Sequence, residues 1–512
     1  MDEPSSSSRP PKKRPTPGFR STVTPDERKT ILQAIEEAEK EMKGYDVEIN
    51  RLEASIVLLE GKRNRLSSTI TKYRASLSPV HRLPPEILAE IFKECCCEIS
   101  HESIWPSVPP SSVVLSMVCG RWREVALSTT ALWSYISIVT GSWPPLKHEK
   151  LFRATQMLVP HSKRHPLTIL FFSFHNSTPD VMDLLIQNCD RWYDVNLALS
   201  QMSLRHYVFR DIQGKVPLLE KLNLTYTSES PARELLDVFG DAPSLHTLHL
   251  SSDMVSSEVT LPRRQIHSLA LCDCVDSCIY LMLPFFLHAS EIKVYRVGID
   301  DDFNNPGAII SSDARSLSIT NDDDGQWPLL DCLFTIMALP KLQKIHIEQY
   351  DYSDRHWDSM PLRQCLIRLS CVLTSFHLDG LPISDEHIIS LLQLLPYHEV
   401  LHIVDPNAQT FPPSQNMIVT HNFLQRLAAR SEFQDWEMVE TSSSSGVVVP
   451  RLKDLTLFVS AASLDQQALV DAVTSRWIPD EDPSLNGGLY CLRKVRLIVN
   501  IVEHDGYHVI HC

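Results

Sequence analysis

His398-Glu399-Val400-Leu401-His402 spells H-E-x-x-H, the pattern in which two imidazoles ligate one zinc ion and the glutamate activates a water against a peptide bond. That chemistry needs a helix, where side chains four apart point at one metal. Leu401 and Ile403 instead alternate as in a strand, where His398 and His402 would stand about 13 Å apart at ~3.3 Å per residue, too far to share a zinc. A zinc peptidase is therefore a remote alternative. Cys272, Cys274 and Cys278 have ligand-like spacing, but no second cysteine pair stands nearby, and core or loop thiols account for them. Glycine is scarce, 15 of 512 residues, about 3% against a usual ~7%. Only Gly487-Gly488 stand closer than about nine residues, so the glycine fingerprints of dinucleotide sites, phosphate loops and nucleophile elbows are absent. No catalytic residue, metal ligand or cofactor is expected.

The elements that carry these residues repeat. An apolar, any, apolar unit recurs at Val195/Leu197, Leu222/Leu224, Leu248/Leu250, Leu269/Leu271, Ile292/Val294, Leu317/Ile319, Ile345/Ile347, Phe376/Leu378, Leu401/Ile403, Leu455/Leu457 and Val495/Leu497. Most first members lie 21 to 31 residues apart, with a gap of 54, equal to two repeats of 27, and one of 40. Those spacings are near a leucine-rich repeat's 20 to 29. Segments between the units, such as Ser384 to Leu395, read as helices. The expectation is a degenerate, leucine-rich-repeat-like solenoid over 150–512 with a parallel sheet on its concave face. Separate α/β domains are the alternative. Asp300-Asp301-Asp302 follows the Ile292 strand and Asp322-Asp323-Asp324 the Leu317 strand, so both runs fall on one rim, where they could steer a basic target segment. The serine-rich stretch Thr441 to Gly446 reads as a flexible excursion.

Upstream, Ile35, Ala38, Met42, Tyr45, Ile49, Leu52, Ile56, Leu59, Arg63, Leu66, Ile70, Tyr73 and Leu77 follow in alternating steps of three and four. This heptad seam predicts a coiled-coil helix over 26–78. Isoleucine at a and leucine at d favour two parallel strands, yet the flanks disagree, since Glu41 would face Asp46 and Glu48 would face Glu53 across a parallel homodimer. Pairing with a second copy, folding back on the same chain and pairing with another protein all remain open. Residues 1–25 are Ser, Pro and basic residues and read as a disordered tail, in which Lys12-Lys13-Arg14 is either a solvated cluster or a nuclear-localisation signal.

After the heptads comes Leu83-Pro84-Pro85-Glu86-Ile87-Leu88-Ala89-Glu90-Ile91-Phe92. Pro85 suits the first helical position and Glu86 the positive helix end. Further on stand Val118-Cys119, Arg121-Trp122-Arg123, Ala126 and Leu132-Trp133. Three elements in this order within about 50 residues resemble the F-box, the helical module by which substrate receptors dock on the Skp-type adaptor of cullin-RING ubiquitin ligases. The Leu-Pro-Pro-Glu-Ile-Leu wording is similar to the large F-box set of mushroom-forming fungi. The resemblance covers about 79 to 135, within a module drawn at 79–145. Phe92 to Val118 is longer than usual, with Cys95 to Pro110 reading as an insertion. It implies adaptor contact through Leu83, Pro84, Glu86, Ile87, Leu88, Ile91, Phe92, Val118, Trp122, Leu132 and Trp133. Ordinary packing is the competing reading, above all for Trp122, Trp133, Ile91 and Phe92.

Composition sets the outer bounds. Forty-eight basic against 63 acidic residues give a net charge of −15, which argues against broad nucleic-acid binding. The longest apolar run, Ile279 to Leu287, holds Pro284 and is half the length of a membrane span. Thirteen scattered cysteines suit reduced thiols in cytosol or nucleus. The fold class expected is α/β: a long helix, a small all-α F-box and the solenoid. The function expected is a non-enzymatic substrate-receptor subunit that binds the adaptor, and through it a cullin, and captures an unidentified protein target. A coiled-coil scaffold without a ligase role is the alternative.

Overall fold

The structure is a computed structural model that describes residues 24–97, 110–140, 145–173, 179–200, 209–227, 236–251, 260–298, 309–321, 328–349, 357–369, 371–406, 417–428, 448–461, 464–477, 489–503 and 506–511. The chain divides into two compact units, Met1–Leu88 and Ala89–Cys512.

In the first unit, helix α1 spans Pro25–Ser76, 52 residues. It begins slightly ahead of the heptads because Thr24 and Glu27 close a capping box. The Glu27 carboxylate accepts from the Thr24 N–H at 3.0 Å, and the Thr24 hydroxyl accepts from the Glu27 N–H at 3.4 Å. Acidic residues crowd the first turn and Arg74 sits in the last, both complementary to the helix dipole. The seam is exposed throughout, from Ile35 at 47% through Ile56 at 54% to Ile70 at 50%. A 3-10 turn, Pro79–Arg82, leads to α2, Pro85–Cys97, which has Pro85 at its first position and belongs to the second unit from Ala89 on.

In the second unit, α3 (Ser111–Val118) and α4 (Gly120–Ser128) are followed by a 3-10 turn, Thr130–Trp133. Strands β1 (Tyr135–Thr140), β2 (Leu167–Ser173), β3 (Trp192–Ser200), β4 (Lys221–Thr227), β5 (Thr247–Ser251), β6 (Ser268–Cys272) and β7 (Glu291–Tyr295) come next. After β8 (Ile310–Ser311) come β9 (Ser316–Asn321), β10 (Met337–Ala338), β11 (Lys344–Gln349), β12 (Ser375–Asp379), β13 (Val400–Val404), β14 (Asp454–Ser460), β15 (Lys494–Glu503) and β16 (Gly506–His511). Apart from the short β8–β10 pair, they form one 14-stranded sheet in sequence order. Every pairing is parallel until β15–β16, which is antiparallel.

Register explains the repeat. Leu222, Leu248, Leu269, Ile292 and Leu317 face one another across successive strands, as do Leu224, Leu250, Leu271, Val294 and Ile319, and all are 3% exposed or less. Each strand thus drives two side chains into one continuous core, at ~1.5 to 3 kcal/mol per side chain. Helices cover this face where the sequence suggested them. Asp385–Leu392 is capped by Ser384, whose hydroxyl accepts from the His387 N–H at 3.4 Å, and buries Ile388, Ile389, Leu391 and Leu392.

Two expectations are corrected. The sheet begins at Tyr135, ahead of the boundary at 150, because Ile136/Ile138 and Ile169/Phe171 extend the buried rows. The 54-residue gap between Leu401 and Leu455 is one step rather than two, since β13 hydrogen-bonds directly to β14. Thr441–Gly446 lies outside the described residues. Among the described residues no helix is long and apolar enough to cross a membrane.

Candidate docking and recognition surfaces

On α2 the apolar stripe splits in two. Ile87 and Ile91, four apart, are 50% and 42% exposed, whereas Leu88 and Phe92 are both 1% exposed. The second pair is buried, and within the second unit Phe92 packs its ring 4.9 Å from that of Trp122. Ahead of the helix, Leu83 has an extended backbone and is half-buried, while Pro84 and Glu86 are exposed.

Val118 and Trp122 do not share one helix. Cys119 interrupts with an extended backbone, φ −158° and ψ 170°, and its Sγ accepts from the Trp122 N–H at 3.5 Å, capping α4. Trp122 is half-buried and Val118 57% exposed. Leu132 and Trp133 are buried, and the Trp133 indole donates to the Ala126 carbonyl at 2.7 Å and packs 4.9 Å from the His161 ring. Of the eleven residues implied as adaptor contacts, Leu88, Phe92, Leu132 and Trp133 are buried. Ile91, for which packing was the competing reading, is exposed. The sequence reading passed over Val114 and Met117, 45% and 69% exposed on α3. Their spacing with Val118, three and four residues along one helix, was the available signal.

Over β7 to β13 the opposite face of the sheet is largely polar. Its middle row runs Lys293, Ser318, His346, His377 and His402 across β7, β9, β11, β12 and β13. His346 Nε2–H donates to Asp379 Oδ2 at 2.9 Å, and His402 Nε2 lies 3.2 Å from the other carboxylate oxygen. His377 stacks on His402, centroids 5.2 Å apart. The bond to Asp379 raises the His346 pKa, though burial opposes it. Burial works against the Asp379 anion, but the bond from His346 and the nearness of His402 prevail and hold its pKa at about 2. Burial and then the two neighbouring imidazoles push His377 down to about 4.

These shifts have opposite consequences. The contribution of His346 is complete below its ordinary 6.5 and is lost as pH rises through its folded pKa. Asp379 contributes above its ordinary 3.8 and fails as pH falls through about 2. The pair is therefore strongest from pH 3.8 to 6.5. His377 subtracts in much of that range, because the unfolded imidazole takes up a proton more readily than the folded one. Thermal melts should show Asp379→Asn losing on the order of 1 kcal/mol near pH 5.5, after allowing for solvent screening. His377→Gln should flatten the wild-type decline between pH 6.5 and 4.

The H-E-x-x-H segment does not form the helix its chemistry needs. Val400–Val404 is a strand; His398 is fully buried, edge-on to Phe376, while His402 stands in the open row. Cys272 and Cys274 are buried, and Cys272 Sγ accepts from Arg296 at 3.3 Å. Among the described residues no group of three or more His, Cys, Asp or Glu side chains is arranged to hold a metal ion. Asp300, Asp301, Asp302, Asp322, Asp323 and Asp324 lie outside the described residues, although β7 and β9, which they follow, are neighbours. No protein-family model matches this chain, and no curated protein matches it.

Proposed function

We propose that this chain is the substrate-receptor subunit of a cullin-RING ubiquitin ligase, with an F-box from 79 to the start of the sheet at Tyr135 and no chemistry of its own. The observation that carries the reading is the division of α2, with Leu88 and Phe92 buried and Ile87 and Ile91 exposed, after Leu83-Pro84 in the sequence. An apolar pair held out on a well-anchored helix is what a docking partner buries. The strands paired in sequence order fit a leucine-rich-repeat-like solenoid, and its open polar face is where the target binds. A rigid sheet then holds the target where a ubiquitin-charged enzyme reaches its lysines. The six aspartates after β7 and β9 assist a basic target, and the cytosol or nucleus is the working compartment.

Co-purification tests the reading. The intact chain should bring down a Skp-type adaptor and, through it, a cullin; a chain that recovers neither refutes it. The exposed seam of α1 favours a second reading, a coiled-coil scaffold without a ligase role. That reading predicts self-association with no adaptor.

A further inference from the structure

The charges of α1 are sorted by halves. Residues 25–50 carry eight acidic and four basic side chains, and residues 51–76 carry two acidic and six basic. On the basic half, Leu59, Arg63, Leu66 and Ile70 line a shallow groove flanked by Lys62 and Arg74. Its apolar members are exposed over more than 45% of their surface. An acidic partner with a matching apolar stripe would fill that groove, and the other half of this helix has both properties.

A parallel pair wastes this complementarity. Each a residue then faces its own copy, so Arg63 meets Arg63 inside the seam, while Glu41 meets Asp46 and Glu48 meets Glu53 on both flanks. Reversing one strand changes every partner. Leu52 faces Ile56, Ile49 faces Leu59, Met42 faces Leu66, Ala38 faces Ile70 and Ile35 faces Tyr73 of the second copy, so the apolar seam is matched along its length. Arg63 now lies against the ring of Tyr45, a cation–π arrangement, and Glu48 faces Lys62. Repulsion survives where Asp46 meets Glu60 and where Glu53 meets itself, but no cation faces a cation in the seam.

We propose that α1 forms an antiparallel two-stranded coiled coil with a second copy of this chain, in the register that sets Leu52 against Ile56. The isoleucine-at-a, leucine-at-d preference for parallel strands is overridden by Arg63 and by the charge division. The inference does not depend on the ligase reading. At ~1.5 Å per residue the 52-residue helix is about 78 Å long. The two carboxyl ends of α1, each leading to a Leu83-Pro84 segment, therefore emerge at opposite ends of the rod.

The experiment uses the full-length chain. Sedimentation at micromolar concentration should report a dimer. Glu48→Lys should weaken it on the order of tenfold, because both copies then set lysine against Lys62. The same change in a parallel pair would place lysine beside Glu53 and tighten the dimer. Glu48→Lys combined with Lys62→Glu should restore the original affinity, since the pair is rebuilt with its signs exchanged. A benzophenone side chain at Ile35 should photo-crosslink, between differently isotope-labelled copies, to the peptide around Tyr73. A monomer at tens of micromolar, a tighter Glu48→Lys dimer or cross-links confined to residues 31–42 would each overturn the proposal.

Discussion

Replacing Leu83 and Pro84 with alanine and Ile91 with aspartate should leave the melting temperature nearly unchanged and abolish adaptor binding. Pro84 and Ile91 are exposed and Leu83 is half-buried, so these substitutions create no large cavity, and such surface changes usually alter stability by about 0.5 kcal/mol or less. Their value in a complex is much greater, because buried apolar anchors are individually worth ~2 kcal/mol or more and three of them reach a thousandfold or beyond. Phe92→Ala supplies the contrast. Its ring is 1% exposed and packs on Trp122, so truncation should cost ~3 to 5 kcal/mol of stability and reduce binding only through lost folding. Calorimetry and adaptor pull-down on both variants separate the cases. If the triple variant melts normally and still captures the adaptor at full strength, the receptor reading fails.

The same helix shows how far side-chain pattern alone reaches. Ile87, Leu88, Ile91, Phe92 and Cys95 form one apolar stripe wide enough to serve two partners, and periodicity cannot say which edge turns inward. Neighbouring elements decide it, through Phe92 on Trp122 and the break at Cys119 that turns α4. The sheet was more legible, because two buried residues per strand at regular intervals leave a period-two signal that survives without any aligned relatives. It failed at β2, where the open face is apolar as well. Leu170 and Phe172 make β2 a continuous apolar run, so Ile169 and Phe171 do not stand out from their neighbours. The row of His346, His377 and His402 was unreadable for another reason. It comes together only through register between strands whose histidines are 31 and 25 residues apart.

Register also depends on one arginine that no local pattern singles out. Arg476, just past the helix Gln466–Ser475, is 2% exposed, and burial pulls its pKa down to about 10. Its guanidinium donates to the carbonyls of Leu427, Val448 and Val449. Leu427 ends the helix after β13, and Val449, at φ +48°, belongs to the turn that enters β14. One side chain thus ties the end of the helix after β13 and the turn that enters β14 to the following helix, beside strands that pair as neighbours although 54 residues apart. Arg476→Met keeps the apolar volume but leaves three carbonyls without their donor, at a cost of about 1 to 3 kcal/mol for each that finds no substitute. The expected result is a loss of several kcal/mol, with amide exchange accelerated first in Asp454–Ser460 and its partner Val400–Val404, while strands at Leu222 and Leu248 keep their protection. Arg476→Lys should recover only part of the loss, because an ammonium cannot span the three acceptors as the planar fork does. Uniform exchange across the sheet, or a methionine variant as stable as the parent, would show that β14 is held by its apolar pair alone.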